Sequence, residues 1–221
     1  MAYFGVTILC VIFSIINAEH FTEDEKKVMV STHNLIRSSA EDPPAANMLQ
    51  VRWDDFLAAK ANSWVEMCQN KNDRFINKDP GIWKRLGQNN WAGSIENFEA
   101  SPGVPAWMWV KHGQEYSFKS KRCDDKVSFK DCSDFTQVIM ATTEAIGCAK
   151  MKCPEDEPKE LYVTCFYGPG GSLLFKNPYV VGDPCSKCPK KYTCNDNLCV
   201  PPPPPSEREL MEELLGYLHE E

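Results

Sequence analysis

The stretch LYVTCFY at residues 161–167 decides the fold class of this chain. β-Branched and aromatic side chains dominate it, and the turn-forming sequence GPGG follows at residues 168–171, so the stretch is predicted to be a β-strand that ends in a turn. No other segment shows a clear apolar alternation with a period of two, which leaves the remaining strands unplaced. Because helical patterns precede this strand, the sequence predicts an α+β fold and not a βαβ array.

Upstream of this strand, four segments carry helical patterns. Thr22 is followed by the acidic residues Asp24 and Glu25, and negative charge at the start of a helix suits the positive end of its dipole. Asp54 precedes a second run with apolar residues at helical spacing, and Pro105 stands at a tolerated early position of a third. The predicted helices cover residues 22–40, 54–69, Pro105 to Val110, and Phe135 to Thr142. Residues 70–100, rich in Asn, Gly and Asp, are predicted to be loop with short helical turns.

The N-terminus, residues 1–18, is predicted to be a secretory signal peptide. Phe4 to Ile16 is an almost unbroken apolar run that is too short to span a bilayer. Small Ala18 stands where signal peptidase would cut, so we expect a secreted, extracellular protein whose mature chain begins at Glu19.

Ten cysteines remain once Cys10 has left with the signal peptide. An even number in an oxidising compartment predicts disulfides and not catalytic thiols. They are Cys68, Cys123, Cys132, Cys148, Cys153, Cys165, Cys185, Cys188, Cys194 and Cys199.

The net charge of −7 narrows the classes of partner. Nucleic-acid binders usually carry basic patches, so we expect no nucleic acid as a partner. The negative balance also disfavours electrostatic docking on anionic membranes. No second apolar run is long enough to span a bilayer, so the mature protein is not expected to be membrane-spanning.

The composition changes after residue 182. Residues 183–200 hold the spacing Cys-x2-Cys-x5-Cys-x4-Cys, which predicts either two disulfides or a zinc site of four thiolates. Pro201 to Pro205 form a polyproline spacer. Ser206 and Glu209 form a capping box before Leu210, Met211, Leu214, Leu215 and Leu218. Residues 201–221 are therefore predicted to be a stiff stalk that carries an acidic amphipathic helix.

Six segments, taken together in this order, resemble the CAP superfamily of cysteine-rich secretory proteins, venom allergens and plant pathogenesis-related proteins. The style is similar to the venom allergen-like proteins of parasitic worms, blood flukes among them. The segments are THNLIR at 32–37, PPAANMLQVRWDDFLAAKANSWVEMC at 43–68, LGQNN at 86–90, WVKHGQEY at 109–116, CSDFTQVIMATTEAIGC at 132–148 and YVTCFYGPGGS at 162–172.

The resemblance implies an α-β-α sandwich with a central antiparallel sheet, spanning a CAP domain at residues 19–182 and a hinge-like cysteine module at 183–200. It also implies how the cysteines pair. The implied pairs are Cys68 with Cys153, Cys148 with Cys165, Cys123 with Cys132, Cys185 with Cys194, and Cys188 with Cys199.

Most CAP domains carry two His and two Glu around a central cavity, where some bind a divalent metal. Carried over by position, these four fall on Asn72, Gln88, His112 and Asp134. Neutral amides are poor zinc ligands, so we expect no metal and no cofactor, although His112 and Asp134 could pair with each other or hold one ion weakly. His33 lies in the first predicted helix, in the His-Asn-x-x-Arg pattern of the family, and is predicted to form hydrogen bonds at the edge of the core and not to act as a catalytic base. No nucleophile stands in a known motif, so we expect no enzyme activity.

Two lipid-binding modes follow from the family resemblance. Sterol binding would use an aromatic loop before the fourth helix, although the third position of its caveolin-like motif falls on Cys123 and is not aromatic. The loop candidates are Tyr116, Phe118, Phe129 and Phe135. Acyl binding would use a groove between the first and third helices, a separate site. The groove candidates are Val28, Val30, Leu35, Ile36, Trp107, Met108 and Val110.

The sequence therefore predicts a secreted, non-enzymatic protein whose partners are small lipids, sterol or fatty acid. The alternative is a secreted ligand of host proteins that carries no lipid and acts through the proline stalk and tail. For each set of apolar residues, ordinary packing in the core is the simpler alternative.

Overall fold

A computed structural model describes residues 20–153, 160–171 and 176–208, together with Met211 and Leu215. The predicted signal peptide and Glu19 lie outside the described residues, as does most of the predicted tail helix. The helices are α1 (Glu23–Ser38), α2 (Asp55–Val65), α3 (Ile95–Ala100), α4 (Val104–Trp109) and α5 (Phe129–Val138), with a 3₁₀ turn at Gly113–Glu115. The strands are β1 (Arg52–Trp53), β2 (Gly87–Gly93), β3 (Tyr116–Ser117), β4 (Arg122–Cys123), β5 (Ala145–Lys152), β6 (Leu161–Gly168), β7 (Thr193–Asn195) and β8 (Leu198–Val200).

The main sheet has the strand order β1-β5-β6-β2. β6 pairs antiparallel with both β5 and β2, which gives the antiparallel centre that the CAP resemblance implies. The two residues of β1 add a parallel pairing to β5 at the edge. Two further ribbons, β3-β4 and β7-β8, stand apart from this sheet.

Strand β6 is buried along its whole length because helices cover both faces of the sheet. Val163 and Tyr167 face the cluster formed with α1, α4 and α5, whereas Tyr162 and Phe166 face clusters formed with α2. The pleat therefore alternates between two apolar layers and not between core and water. Strand β5 lacks a polar-apolar alternation for the same reason. Strand β2 lacks it because Gln88, Asn89 and Asn90 are consecutive buried polar residues, so the sequence revealed neither strand.

Contact between β5 and α2 depends on Gly147. A Cβ at this position would lie 2.2 Å from the backbone nitrogen of Ala58 and 2.5 Å from the carbonyl oxygen of Asp54. Such distances are sterically forbidden, so only glycine lets the helix lie this close to the strand.

The predicted helices are present, and their ends show which signals were informative. At the start of α1, Thr22 and Glu25 form a reciprocal capping box. The prediction of a helix from Phe135 to Thr142 is wrong at both ends, because α5 begins at Phe129 and ends at Val138. The Ser128 side chain caps it by accepting from the Asp131 amide. The apolar residues on which the prediction rests continue beyond the helix into a buried turn. The apolar run therefore marks buried residues and not the bounds of α5.

Five disulfides join the same pairs of cysteines that the resemblance implies. In the C-terminal module, the sulfurs of Cys185, Cys188 and Cys199 lie within 4.8 Å of one another. Cys185 is bonded to Cys194, and Cys188 to Cys199. No thiolate is left for zinc there, so the zinc alternative for this module is wrong.

The C-terminal module packs on the sandwich through backbone hydrogen bonds. The Cys199 amide donates to the Met48 carbonyl at 2.7 Å, and the Gln50 amide donates to the Cys199 carbonyl at 3.0 Å. Leu198 and Cys199 are both buried. No helix among the described residues is long and apolar enough to cross a membrane.

Candidate functional site

The THNLIR segment fixes α1 against the rest of the sandwich. His33 is fully buried, with Nδ1 2.8 Å from the Met29 carbonyl and Nε2 3.1 Å from the Tyr167 hydroxyl. Burial lowers the pKa of His33 to about 4. The imidazole is therefore neutral at pH 7 and enclosed, which agrees with a structural role and leaves it no access to a substrate.

Arg37 occupies the centre of the junction between α1, the segment before β1 and the turn after α5. Its guanidinium makes six hydrogen bonds of 2.7–3.4 Å to five backbone carbonyls. Burial lowers the pKa of Arg37 to about 9, so it remains a cation at neutral pH. The acceptors are the carbonyl oxygens of Leu49, Val138, Met140, Ala141 and Thr143.

Asn72 and Gln88, which stand at two of the four cavity positions of the family, are linked through Asn90 by hydrogen bonds between side chains. Asn90 donates to Asn72 Oδ1 at 2.7 Å, and Gln88 donates to Asn90 Oδ1 at 3.0 Å. The Thr164 hydroxyl donates to the same Asn90 oxygen at 2.8 Å. Gln88 Oε1 accepts from the Asp73 amide at 2.7 Å. The amide oxygens are thus already engaged within the protein.

Asp134 pairs with a lysine and not with His112. Lys130, one turn earlier on α5, places Nζ 2.5 Å from Asp134 Oδ2 and 3.2 Å from the Asn90 carbonyl. The Asp134 side chain is 3% exposed. Burial raises its pKa to about 6, although the Lys130 charge opposes this shift.

His112 turns to other carboxylates. Its Nδ1 lies 3.6 Å from Glu115 Oε1, and its Nε2 lies 4.0 Å from Asp131 Oδ2. The prediction that His112 could pair with Asp134 is therefore wrong, because Lys130 and not His112 contacts the Asp134 carboxylate.

These residues do not fit a divalent metal. Asp134 Oδ1 is buried without a hydrogen-bond partner and is the one oxygen that could serve as a ligand at this carboxylate. However, the ammonium group of Lys130 lies on the other oxygen and would repel a second cation. Since Gln88 and Asn72 are neutral and engaged, the set of donors lacks the charge that a zinc site requires.

Three of the predicted sterol-loop residues come together in an aromatic cluster. Tyr116 lies 5.2 Å from Phe118 and 5.9 Å from Phe135, measured between ring centroids. The Phe118 ring lies 4.7 Å from the Tyr179 ring, with the two planes tilted by 48°. Phe129 is not part of this cluster, because it begins α5 and is 78% exposed.

This cluster lines a cleft of about 680 Å³, named here the aromatic cleft. Its apolar wall comes from the end of α1, the segment after α4, the loop and α5. The apolar lining is Ile36, Val110, Tyr116, Phe118, Phe135, Ile139 and Tyr179, and the polar rim includes Ser39, Glu41, Asp42, Lys111 and Gln114. Residues predicted separately for sterol and for acyl binding therefore share one cleft.

Between α1 and α4 themselves, the helices are in close contact. A Cβ on Gly103 would lie 2.2 Å from the Thr32 hydroxyl oxygen, so no acyl chain passes at that level. Of the predicted groove residues, Leu35, Trp107 and Met108 are 53%, 47% and 43% exposed, and Val28 and Val30 are half-buried. The structure places them at the surface and not around the aromatic cleft.

Two important residues were not predicted. Tyr179 closes the aromatic cleft from a segment that the sequence analysis did not assign to any element, and its hydroxyl donates to the Pro43 carbonyl at 2.8 Å. Lys130 is the second, and it stands four residues before Asp134, a spacing at which helical side chains meet. Correct placement of α5 would have revealed that pair.

Comparison with known proteins gives the family. Residues 30–167 match the CAP family, described as the cysteine-rich secretory protein family. The chain belongs to the CAP family. Peptidase inhibitor 16 of Mus musculus is 36% identical over 184 residues, which cover 81% of this chain and 34% of that protein. Glioma pathogenesis-related protein 1 of Mus musculus is 36% identical over 182 residues, which cover 81% and 66%.

The CAP chain thus spans about a third of the first of these relatives and two thirds of the second. Among solved structures, the venom allergen-like protein 4 of Schistosoma mansoni is similar at 26% identity and a TM-score of 0.56, over 76% of this chain and 100% of that chain. Na-ASP-1 shares the fold at 23% identity and a TM-score of 0.66, over 81% and 48%.

Proposed function

We propose that this CAP protein is secreted, has no enzyme activity and binds a small lipid, sterol or fatty acid, in the aromatic cleft. The observation that carries the proposal is the shared lining: Ile36 and Val110 from the acyl set stand beside Tyr116, Phe118 and Phe135 from the sterol set. A volume of about 680 Å³ lies within the range of small-molecule sites.

The chemistry of the cleft suits an amphiphile. Aromatic and aliphatic walls favour a ring system or chain, since apolar area leaving water contributes roughly 25 cal/mol per Å². At the rim, Lys111 can pair with a carboxylate, and Ser39 or Gln114 can hydrogen-bond a hydroxyl. A second pocket, which contains Phe129, measures about 120 Å³ and is too small for either lipid.

The non-enzymatic part of the proposal rests on the titratable groups. All ten cysteines of the described residues are in disulfides, and His33 is fully buried. His112 faces two carboxylates and has no hydroxyl or thiol partner among its described contacts. His112 therefore has, among the described residues, no nucleophile beside it that it could activate as a general base, and His33, which lies against the Tyr167 hydroxyl, is closed to a substrate.

Organic extraction of the purified secreted protein, followed by mass spectrometry and titration with labelled cholesterol and palmitate, tests the proposal. Because both candidate sets line one cleft, we expect the two lipids to compete. Phe118→Ala should weaken the binding of both lipids by about tenfold, since it removes one half-buried aromatic wall of the cleft.

Phe129→Ala is the matched control, because this ring is 78% exposed and lies outside the aromatic cleft. Independent binding of the two lipids would contradict a shared cleft. An empty protein that binds neither lipid would favour the alternative function, a secreted ligand of other proteins, for which the exposed Pro201–Pro205 stalk is the supporting observation.

A further inference from the structure

The two disulfides of the C-terminal module lie next to each other. The bonds are Cys185–Cys194 and Cys188–Cys199, and the Sγ atoms of Cys185, Cys188 and Cys199 all lie within 4.8 Å of one another. Among the described residues, no other three cysteine sulfurs are gathered in this way. Cys185 therefore lies beside a disulfide to which it does not belong.

The backbone holds Cys185 and Cys188 together. They stand in the spacing Cys-x-x-Cys, which is typical of sites that exchange thiols and disulfides, and the Cys188 amide donates to the Cys185 carbonyl at 3.3 Å. Cys185 has a φ of 62°, in the left-handed region that residues other than glycine seldom adopt. Such a conformation persists only where surrounding contacts impose it, so opening of the Cys185–Cys194 bond removes one restraint on Cys185.

The sulfur that a thiol from solution can reach is that of Cys194. Of the ten cysteines among the described residues, Cys194 alone is exposed, whereas Cys185 and Cys188 are half-buried and Cys199 is 0% exposed. The rate of exchange depends on access to the sulfur under attack. A thiol from solution therefore opens the Cys185–Cys194 bond at Cys194 and leaves Cys185 as the thiolate.

The charge of the C-terminal module favours an anionic thiol. Residues 183–200 carry three lysines and two aspartates, which leaves one positive charge in excess in a chain whose net charge is −7. Lys187 directly precedes Cys188, and all three lysines are exposed. Basic side chains stabilise a neighbouring thiolate and attract an anionic thiol. Such a thiol therefore meets less repulsion here than over the chain as a whole.

We propose that the C-terminal module is a site of thiol–disulfide exchange that takes a small thiol of net negative charge, such as glutathione. In the first step, the thiolate of the small thiol attacks Cys194 Sγ, forms a mixed disulfide there and releases Cys185 as a thiolate. In the second step, Cys185 Sγ attacks Cys199 Sγ, forms the bond Cys185–Cys199 and releases Cys188 as a thiolate, which takes up the proton that the small thiol lost to water. Each step breaks one S–S bond and forms another, so no oxidant is consumed.

Burial decides which sulfur leaves in the second step. Attack on Cys199 Sγ releases half-buried Cys188 beside Lys187, whereas attack on Cys188 Sγ would release a thiolate on Cys199, which is 0% exposed. Since burial destabilises a charge, Cys188 is the better leaving group. Cys199 stays bonded, so its backbone hydrogen bonds to Met48 and Gln50 are kept and the module stays attached to the sandwich. This inference does not depend on lipid binding in the aromatic cleft.

Peptide mapping without reduction tests the proposal on the full secreted chain, after incubation with reduced glutathione, an acid quench and alkylation of the free thiols. We expect glutathione on Cys194, an alkylated Cys188 and the new bond Cys185–Cys199. The buried bond Cys148–Cys165 should open about tenfold or more slowly than Cys185–Cys194, because its sulfurs are not accessible. An alkylated Cys185 beside an intact Cys188–Cys199 bond would overturn the second step, and glutathione appearing first on a cysteine of the sandwich would overturn the choice of Cys194.

Cys194→Ser isolates the second step, because it leaves Cys185 as a thiol without any added glutathione. We expect about half or more of the molecules to carry the Cys185–Cys199 bond and an alkylated Cys188. Cys185→Ser is the matched control, since it removes the same disulfide but leaves the thiol on Cys194, which is not one of the three gathered sulfurs. There the Cys188–Cys199 bond should stay intact.

Equal exchange in the two variants would overturn the proposal, because a loosened module and not the position of Cys185 would then explain it. A Cys185–Cys188 bond with an alkylated Cys199 would overturn the assigned leaving group. The same peptide maps report whether the sandwich stays folded, since Cys68–Cys153 should remain bonded in both variants.

Discussion

At the scale of single residues, Arg37 is a buried cation whose hydrogen-bond partners are backbone carbonyl oxygens and not a carboxylate. Its six hydrogen bonds reach five carbonyls that belong to two separate segments of the chain. Lysine keeps the charge but offers three donors from one point and cannot reproduce this fork. We expect Arg37→Lys to lower the free energy of unfolding by about 3 kcal/mol or more, since buried carbonyls lose their partners.

Chemical denaturation measures this loss, and Arg52→Lys is the control because the Arg52 side chain is 58% exposed. A change at Arg37 as small as that at Arg52 would show that the carbonyls find other donors.

The shifted pKa values of His33 and Asp134 change the free energy of unfolding with pH in opposite directions. The folded-state pKa of His33 is about 4, below its ordinary 6.5, so the stability it contributes is present above pH 6.5 and is lost as the pH falls towards 4. The folded-state pKa of Asp134 is about 6, above its ordinary 3.8, so its contribution is present below pH 3.8 and is lost as the pH rises through 6. Each shift corresponds to about 3 kcal/mol, so the two effects largely offset each other between pH 4 and 6.5.

The substitution Asp134→Asn removes the contribution of the Asp134 carboxyl group and leaves that of His33. Relative to the wild type, the variant should gain about 3 kcal/mol of unfolding free energy between pH 4 and pH 7, since it no longer buries a carboxylate. Urea titrations across that range measure the difference, with Asp55→Asn, an exposed carboxylate, as the control. A difference that does not depend on pH would mean that Asp134 remains ionised throughout.

At the scale of elements, the disulfides differ in the loops that they close. Cys68–Cys153 ties the end of α2 to the end of β5 across a separation of 85 residues, whereas Cys123–Cys132 spans 9 residues. On the chain-entropy relation, the longer bridge stabilises by about 4–5 kcal/mol and the shorter by about 2.5 kcal/mol. Replacing each pair with alanine and comparing thermal denaturation should show the larger loss for the Cys68–Cys153 pair. Equal losses would indicate that local packing, and not loop length, sets the contribution.

At the scale of the whole molecule, the composition of the sequence changes near residue 182, but the segments on the two sides of this boundary are joined by hydrogen bonds. Besides the hydrogen bonds of Cys199 to Met48 and Gln50, the Lys187 amide donates to the Ala46 carbonyl at 2.8 Å. We therefore expect the sandwich and the module to unfold in one calorimetric transition. A chain ended at Gly182 should be less stable by several kcal/mol, because Met48, fully buried in the complete chain, loses its cover. Two separate transitions would contradict this prediction and make the module an independent unit.

The sequence by itself determined the fold class, through a β-rich stretch before a turn. Its motifs, in a fixed order, carried the resemblance to the CAP family, and that resemblance implied the pairing of the cysteines and the substituted cavity positions, such as Gln88, whose neutral amide is a poor zinc ligand. The capping box of α1 was likewise readable, since its two partners lie three residues apart.

Only the tertiary structure decided which residues share a site. Strand β5 was hidden because both of its faces are buried and mostly apolar, and strand β2 because it buries the polar side chains of Gln88, Asn89 and Asn90, so no alternation marks either strand. Tyr179 reaches the aromatic cleft from a distant part of the chain, and Lys130 meets Asp134 only once α5 is placed at its true start. Ile36 joins Phe118 in one cleft because α1 ends beside the loop. Such neighbours depend on how the layers pack, and packing is a property of distant segments together that no local pattern encodes.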